Sequence, residues 1–351
     1  MLTLTIKRIV MTDNVETKLD VQSKNYANML CDFMFKRVFG SEANKDMLIW
    51  FLNMVLKDLN IKSVKFIPTE HPGMTEEDRI VIFDIACECE DGRKFIIEMQ
   101  KGYQKYFRER ALYYTTYPIN KQGREARELY EKERIQGMTH EKFNWDYNLQ
   151  PVIVVAILNF RFKHADDWPQ DRYHSSYRLT EDLTHETMTD ALRFVFVELG
   201  RMTKKISELE TKFEKWIYLM KNMHKMKNIP PEFADPMFRR LFLLAEINNF
   251  TPEEREQYYK SLESMGDYYN IINTTAEEAE KRGLEKGLKR GLERGREEGR
   301  EEGRVEGREE GREEGRNQTN LDNARNLKKL GVTIDIISQA TGLTTEVIES
   351  L

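Results

Sequence analysis

The spacing of apolar residues changes several times along the chain, and each change predicts a new element. Apolar positions three and four apart run from Tyr26 to about Leu59 and predict two helices separated by Gly40. Two runs rich in β-branched residues follow, Ile80–Glu88 and Phe95–Met99, and they predict strands. This part of the chain therefore predicts two helices followed by a β-hairpin.

The same spacing predicts the remaining elements of the core. A helix is expected from about Gln104 to Asn120, and the uninterrupted apolar run Pro151–Leu158 predicts a fully buried strand. Phe194–Leu199 predicts a further strand, and residues 203–265 have helical spacing with breaks at prolines. Helices, hairpin, helix, two strands and helices, in that order, predict an α/β core of about 200 residues.

The composition changes abruptly in the carboxy-terminal part. Glycine recurs at every fourth position from Gly283 to Gly315, with Arg and Glu between. Each glycine costs a helix about 1 kcal/mol relative to alanine, whereas the Glu–Arg pairs three apart favour one. We expect a long helix that becomes firm on pairing with another chain, and a solvated spacer is the alternative.

The last residues return to helical spacing, with Gly342 between two short apolar runs. This pattern resembles a helix-turn-helix, and a small helical docking module is the alternative. The chain then divides into four parts. They are a loose polar lead-in (1–24), an α/β domain with a helical end (25–270), the repeat (271–316) and the small helical module (317–351).

Composition and charge narrow the class of protein. Apolar residues make up 40% of the 351 positions, yet no run approaches the roughly 18 apolar residues of a membrane span. The amino-terminal sequence does not resemble a secretory signal, and three cysteines give no disulfide framework, so we expect a cytoplasmic protein. The net charge is −5, but residues 93–134 hold eleven Lys or Arg and six Glu, which is compatible with phosphate binding.

The predicted hairpin carries acidic residues within apolar sequence. Alternation places Glu98 and Gln100 on one face of the second strand. If Glu90, Asp91 and Gly92 form a three-residue loop with the glycine left-handed, Asp84 lies opposite Glu98. A two-residue loop would send Glu98 to the opposite face of the hairpin.

Two neighbouring carboxylates in apolar surroundings repel each other and are costly to desolvate. A divalent cation removes this penalty, and Mg²⁺ takes one or two protein carboxylates while keeping waters. We therefore predict Asp84 and Glu98 as ligands of Mg²⁺ or Mn²⁺ and as catalytic residues, with Gln100 orienting water or phosphate. The alternative is a solvated hairpin face with ordinary surface acids, but Ile82 and Ile96 on that face are not typical of a surface.

The spacing of Asp84, Glu98 and Gln100 resembles the Asp…Glu-x-Lys core of the PD-(D/E)XK nucleases. More narrowly, the sequence from about Tyr26 to Phe160 resembles the Rpn family of recombination-promoting nucleases, also described as putative transposases. The matching segments are DFMFKRVFG (32–40), EDRIVIFDIACECEDGRKFIIEMQ (77–100), YFRERALYY (106–114) and PVIVVAILNF (151–160). Members of that family carry Gln where the superfamily has Lys, so Gln100 is a family feature.

The resemblance implies a restriction-endonuclease-like α/β fold, with a central mixed sheet flanked by helices and here extended by carboxy-terminal helices. It also implies magnesium-dependent cleavage of DNA and a role in recombination or mobile elements. Two basic residues are candidate contacts for a substrate phosphate. Arg110 follows the hairpin on the next helix, where a solvated helix face is the alternative. Lys36 lies four residues after Asp32, and we favour an intrahelical ion pair there.

Two hypotheses for function follow. The first is a Mg²⁺-dependent DNA endonuclease, with DNA as its partner and with a homo-oligomer formed through the repeat helix. The second is a catalytically inactive nuclease fold that binds DNA or protein and assembles through its carboxy-terminal helices. Metal binding and nicking of plasmid DNA discriminate between the two. A true transposase would need a third essential acid, and the sequence offers no convincing candidate for one.

Overall fold

The computed structural model of the protein describes residues 25–71, 81–139 and 142–351. The predicted lead-in, residues 1–24, lies outside them. The chain forms two compact units, one ending at Ile271 and the other running from Ile272 to Leu351. In the described residues, no helix combines the length and the apolar character that crossing a bilayer requires.

The described elements follow the predicted order of helices, strands and helices. The strands are β1 Lys65–Phe66, β2 Glu70–His71, β3 Val81–Ile82, β4 Ile85–Glu88, β5 Lys94–Gln100, β6 Val152–Leu158, β7 His174–Tyr177 and β8 Leu192–Glu198. The α-helices are α1 Asp32–Phe39, α2 Lys45–Val55, α3 Phe107–Ile135, α4 Lys212–Asn222, α5 Pro236–Ala245, α6 Pro252–Lys329, α7 Ile334–Thr341 and α8 Thr345–Ser350.

A six-stranded sheet in the order β1-β4-β5-β6-β8-β7 forms the centre of the first unit, and β2 and β3 form a separate two-stranded ladder. The β5, β6 and β8 strands are parallel, whereas the outer pairs are antiparallel. Helices pack on the sheet, and all seven residues of β6 are buried, as its apolar run predicts. The predicted mixed sheet flanked by helices is therefore confirmed.

Alternation along β5 supplies the core on both faces of the sheet. Phe95 and Ile97 belong to the larger apolar cluster, which contains the buried face of α2 and Trp216 of α4. Ile96 belongs to a second cluster, which contains Phe107 at the start of α3. Because both faces are covered, the polar residues Lys94 and Glu98 of β5 are buried, and Gln100 at its end is half-buried.

The helix after the hairpin is longer than predicted. The sequence predicted an end near Asn120, whereas α3 continues through Pro118 to Ile135. Its added turns carry ion pairs four residues apart, Lys121 with Glu125 and Arg127 with Glu131. The first half of α3 packs on the sheet, and the second half is an extension stabilised by local charge.

The carboxy-terminal helices agree with the spacing of the sequence. The glycine repeat lies within α6, residues 274–319 are all exposed, and no repeat glycine has a neighbouring atom within 4 Å of a Cβ built on it. The tail forms α7 and α8, joined through Gly342 with φ +71°. Pairing of the repeat with another chain stays a prediction.

Candidate active site

A β-bulge lies at Asp84. Phe66 pairs with Cys87 on one side of it and Glu70 pairs with Ile82 on the other. Three residues lie between Phe66 and Glu70, whereas four lie between Ile82 and Cys87. The strand that contains Asp84 therefore holds one additional residue. Bulges bend a strand and redirect side chains, and they are common beside active sites.

The bulge corrects the prediction of a single strand over Ile80–Glu88, of which Ile80 lies outside the described residues. The chain leaves regular pairing at Phe83 and Asp84, so β3 and β4 belong to different ladders. Phe83 and Ala86 belong to one apolar cluster, although a regular strand would place them on opposite faces. The bulge therefore changes the direction of the chain at Asp84.

The three-residue loop and its register are confirmed. Gly92 has φ +84°, and the Cys89 amide donates to the Arg93 carbonyl at 2.9 Å. The β4 and β5 strands then pair from Glu88 with Lys94 to Ile85 with Ile97. One further step along the same register places Asp84 opposite Glu98.

Hydrogen bonds join the three predicted residues. The Asp84 amide donates to Glu98 Oε1 at 3.2 Å, and the Gln100 side-chain amide donates to Glu98 Oε2 at 3.3 Å. The Met99 amide donates to Asp84 Oδ2 at 2.7 Å. In an antiparallel ladder that N–H would bond a carbonyl of the opposite strand, so the Asp84 carboxylate takes the place of a backbone acceptor.

Burial and neighbouring like charge, that of Asp84 for Glu98 and that of Asp32 for Asp84, disfavour the charged forms of the two acids. The Glu98 side chain is only 3% exposed, and its pKa is raised by burial and then by the Asp84 charge. Burial also raises the pKa of Asp84, although the Met99 N–H opposes that shift. Neither acid forms an ion pair with any residue in the described part of the chain. The two carboxylates therefore have no cation of the described residues within ion-pair distance.

Arg110 is the cation on the side of Glu98. Its charge lowers the pKa of Glu98, and its guanidinium lies 5.1 Å from the Phe107 ring centroid and 5.6 Å from that of Tyr114. Arg110 Nε is buried and has no hydrogen-bond partner among the described residues. The guanidinium thus has hydrogen-bonding capacity left beside the acids.

Lys36 and Lys101 lie on the side of Asp84, and both lower its pKa. Lys36 Nζ lies 3.2 Å from the Asp32 carboxylate, which confirms the intrahelical ion pair. Lys101 directly follows Gln100 and was not singled out from the sequence. Asp32, Lys36 and Lys101 line one groove of about 930 Å³, and neither Asp84 nor Glu98 lines it.

A second buried acid, Glu198 at the end of β8, was not predicted from the sequence. Its carboxylate accepts hydrogen bonds from the Phe162 amide at 2.8 Å and from Arg201 Nε at 3.1 Å. His164 Nε2 lies 2.6 Å from its other oxygen. The only signal in the sequence was an acid that closes a buried strand, as Glu98 nearly does in β5.

The donor set at the hairpin consists of two carboxylates and one amide. In residues 25–71, 81–139 and 142–351, no group of three or more His, Cys, Asp or Glu side chains is placed to hold a metal ion. A cation with all-protein ligation is therefore not supported there. Two carboxylates with open space suit a hard cation that keeps several waters.

Comparisons with known proteins address the family. A search of curated proteins and a search of solved structures each gave no match. A family model described as PD-(D/E)XK nuclease family transposase matches residues 29–275, which is more than half of the chain and includes Asp84, Glu98 and Gln100. The match agrees with the predicted resemblance and with the mixed sheet. The chain therefore belongs to the PD-(D/E)XK nuclease family transposases.

Proposed function

We propose that the protein is a divalent-metal-dependent endonuclease that hydrolyses DNA phosphodiester bonds. The observation that carries this proposal is the pair of adjacent carboxylates, the half-buried Asp84 and the buried Glu98, with no cation of the described residues in ion-pair contact. Family membership supports a nuclease, and the proposal adds the metal, the endonucleolytic cut and the residues.

The chemistry of the site fits Mg²⁺ or Mn²⁺. Glu98 accepts hydrogen bonds from the Asp84 amide and from Gln100, which orient its carboxylate without neutralising it. Asp84 Oδ2 accepts from the Met99 amide, whereas its Oδ1 has no hydrogen-bond donor in the described residues. Hard oxygen ligands favour these cations over softer ones.

The residues divide the work between binding and positioning. Asp84 and Glu98 hold the cation, which when bound supplies a nucleophilic water at neutral pH and offsets charge on the phosphate. Gln100 is fixed by its bond to Glu98, and its amide orients the water or a phosphate oxygen. Glu98 lies on β5 and Asp84 directly precedes β4, so the register of the hairpin brings the two acids together.

Two cations contribute to binding of the substrate. Arg110 offers a buried N–H without a partner beside Glu98, so a phosphate oxygen completes its hydrogen bonding. Lys36 is the weaker candidate because Asp32 already pairs with it. Arg110 therefore holds the scissile phosphate, and Lys36 adds positive potential at the groove.

DNA is the proposed substrate, and recombination or mobile elements are the proposed context. The basic stretch 93–134 begins in the hairpin and contains Arg110, which places positive charge near the acids. The three free, buried cysteines are consistent with the expected cytoplasmic location. We also propose that the exposed repeat helix within α6 mediates homo-oligomerisation.

Nicking of supercoiled plasmid tests the proposal. Wild type is expected to nick DNA with Mg²⁺ or Mn²⁺ and to stop when EDTA is added. Asp84→Ala and Glu98→Ala are each expected to lose activity by a factor of about 10²–10³, the range for loss of an electrostatic catalytic group. Glu90→Ala removes an exposed acid from the loop of the same hairpin and is expected to retain activity.

The outcomes separate the two hypotheses for function. Equal activity of all four proteins would remove Asp84 and Glu98 from the site. Absence of both nicking and metal affinity in wild type would favour the catalytically inactive binding module.

A further inference from the structure

Two exposed tyrosines lie beside the proposed active site. Tyr103 is 60% exposed and Tyr106 is 62% exposed, which is high for large aromatic side chains. Both lie in residues 101–106, which join β5 to α3. Three residues of chain span at most roughly 11 Å, so Tyr103 lies within that distance of Gln100. A DNA strand at the acids would pass these rings.

The segment that presents the tyrosines is held in place. The Tyr103 ring packs edge-on against Phe160, with ring centroids 5.6 Å apart and an interplanar angle of 86°. The Lys101 carbonyl accepts a hydrogen bond from the Tyr269 hydroxyl at 3.2 Å, and the Gln104 carbonyl accepts one from the Phe107 amide. Hydrogen bonds at Lys101 and Gln104 therefore fix the backbone before and after Tyr103, and Phe160 packs against its ring. A preformed aromatic surface binds without the cost of ordering it.

The charges around the tyrosines favour an anionic partner. Residues 101–114 contain four basic residues, Lys101, Lys105, Arg108 and Arg110, and a single acid, Glu109. None of the four forms an ion pair within the described chain. Lys105 Nζ lies 4.9 Å from the Tyr106 ring centroid, and the Arg108 guanidinium lies 4.3 Å from that of Phe162. Cations alternate with rings, as phosphates alternate with bases along a nucleic-acid strand.

The rings discriminate between forms of DNA. In a duplex the faces of the bases are covered by their neighbours, so a protein contacts phosphates and the edges of bases in the grooves. An aromatic side chain stacks on a base only when that base is unpaired, and such stacking tolerates any sequence. A surface of exposed tyrosines and unpaired cations is therefore suited to a strand that has left its duplex.

We propose that the preferred substrate is DNA with unpaired bases next to the cleaved bond, an inference that rests on the proposed nuclease function. Tyr103 and Tyr106 stack on these bases, and Lys105 and Arg108 hold the phosphates between them. The unpaired bases come either from a single strand or from the unpaired arm of a branched duplex. Both place the same chemistry on the same surface.

Binding to a catalytically silenced protein tests this proposal. Fluorescence anisotropy of the Glu98→Gln protein would compare labelled DNA of one sequence as a single strand, as a blunt duplex and as a duplex with an unpaired arm. We expect the two DNAs with unpaired bases to bind at least tenfold more tightly than the blunt duplex. Stacking contributes roughly five- to 150-fold per base, which sets the size of this difference.

Variants in the same background assign the preference to the rings. Tyr103→Ala with Tyr106→Ala is expected to abolish the preference, while Tyr103→Phe with Tyr106→Phe retains it because the rings remain. Tyr147→Ala is a matched control, since Tyr147 is 75% exposed and precedes β6 at the opposite end of the parallel strands. Lys105→Ala with Arg108→Ala is expected to weaken binding of all three DNAs and to reduce its salt dependence.

The outcomes keep this proposal separate from the nuclease proposal. Equal binding of the three DNAs, or a preference that survives removal of both tyrosine rings, overturns the proposal of unpaired bases. Neither result affects nicking by wild type. Conversely, wild type that cuts no DNA overturns the proposed function, whereas the binding preference is measured without catalysis.

Discussion

Glu98 and Glu198 are buried glutamates on the same face of one sheet, yet their surroundings differ. The side chain of Glu98 is 3% exposed and that of Glu198 is 0% exposed. Glu98 pairs with Ala156 of β6, and Ala156 pairs with Phe196 of β8. Glu198 follows Phe196 by two residues, so it lies on the same face of the sheet as Glu98. Arg201 and His164 contact Glu198, whereas the nearest charge to Glu98 along its own register is another carboxylate, Asp84.

The difference shows what a buried acid requires. Arg201 and His164 give Glu198 partners from the chain itself, so its burial needs nothing further. Glu98 has hydrogen bonds but no cation in contact, and burial and Asp84 raise its pKa. The first arrangement organises structure, because it ties the Phe162 loop to the end of β8. The second leaves Glu98 without a cation in contact, and the proposed metal ion would supply that cation.

The largest expected effect on stability comes from removing the charge of Glu198, which contacts Arg201 and His164. Glu198→Gln leaves Arg201 and His164 without their charged partner, and removal of one member of a buried ion pair costs about 3–5 kcal/mol. We expect a corresponding fall in the free energy of unfolding, measured by chemical denaturation. Nicking activity per folded molecule is expected to stay near that of wild type. A loss of activity without a loss of stability would contradict the structural role of Glu198.

Removing the carboxylate of Glu98 is expected to change the free energy of unfolding in the opposite direction. Glu98→Gln replaces an acid whose ionisation is disfavoured by burial, so without metal it is expected to increase the free energy of unfolding at neutral pH by about 1–3 kcal/mol. The same variant is expected to abolish nicking. Asp84→Glu is a useful companion, since it keeps the charge and lengthens the side chain. A destabilising effect of Glu98→Gln in metal-free buffer would contradict the comparison.

The dependence on pH sharpens this difference. Folding raises the pKa of Asp84 and of Glu98, so between pH 5 and pH 8, roughly, the native state binds more protons than the unfolded state. Stability from this pair is therefore greatest at the acidic end and falls as pH rises. We expect the gap between metal-free wild type and the double variant Asp84→Asn with Glu98→Gln to widen from pH 5 to pH 8. Added Mg²⁺ is expected to reduce that slope.

The hairpin loop tests whether the register places the acids together. Gly92 has φ +84°, and a Cβ there would lie 3.1 Å from the Gln150 side chain. Gly92→Ala is expected to cost about 1–2 kcal/mol, because the left-handed conformation is unfavourable for alanine. Nicking is expected to fall if the loop shifts the strands. Asp91→Ala, in the same loop, is the control and is expected to have a smaller effect on both.

The smallest effect is expected in the repeat, whose glutamates are all exposed. Gly303 lies within α6, and a Cβ added to it would meet no neighbouring atom within 4 Å, so alanine fits there. Gly303→Ala is expected to stabilise that part of the helix by about 1 kcal/mol without changing nicking. Helicity measured by circular dichroism during thermal unfolding reports this change. A marked loss of oligomers would instead show that a partner helix packs on the glycine.

The hairpin was predictable because its information is local. A glycine at the third loop position and strict alternation in β5 fix the register, and the register places Asp84 opposite Glu98. The apolar run of β6 predicted its burial for the same reason. These features depend on residues close in sequence, so one chain is enough to read them.

The features that the sequence did not predict depend on distant residues. The bulge at Asp84 arises from pairing with β1 and β2, two-residue strands with little pattern of their own. Glu198 is partnered by Arg201, three residues later, and by His164, 34 residues earlier in the chain. Lys101 shares one groove with Asp32 and Lys36 because α1 packs beside the end of β5. Tertiary contact decides each of these, and spacing along the chain does not.

Metal titration of the purified protein tests the central claim most directly. In isothermal titration calorimetry at neutral pH, wild type is expected to bind Mn²⁺ or Mg²⁺ with release of protons, because the raised pKa values leave part of the pair protonated. Asp84→Asn is expected to lose that binding, and Glu198→Gln is expected to keep it wherever the protein is folded. Equal metal binding by wild type and Asp84→Asn would contradict a cation shared by the two acids.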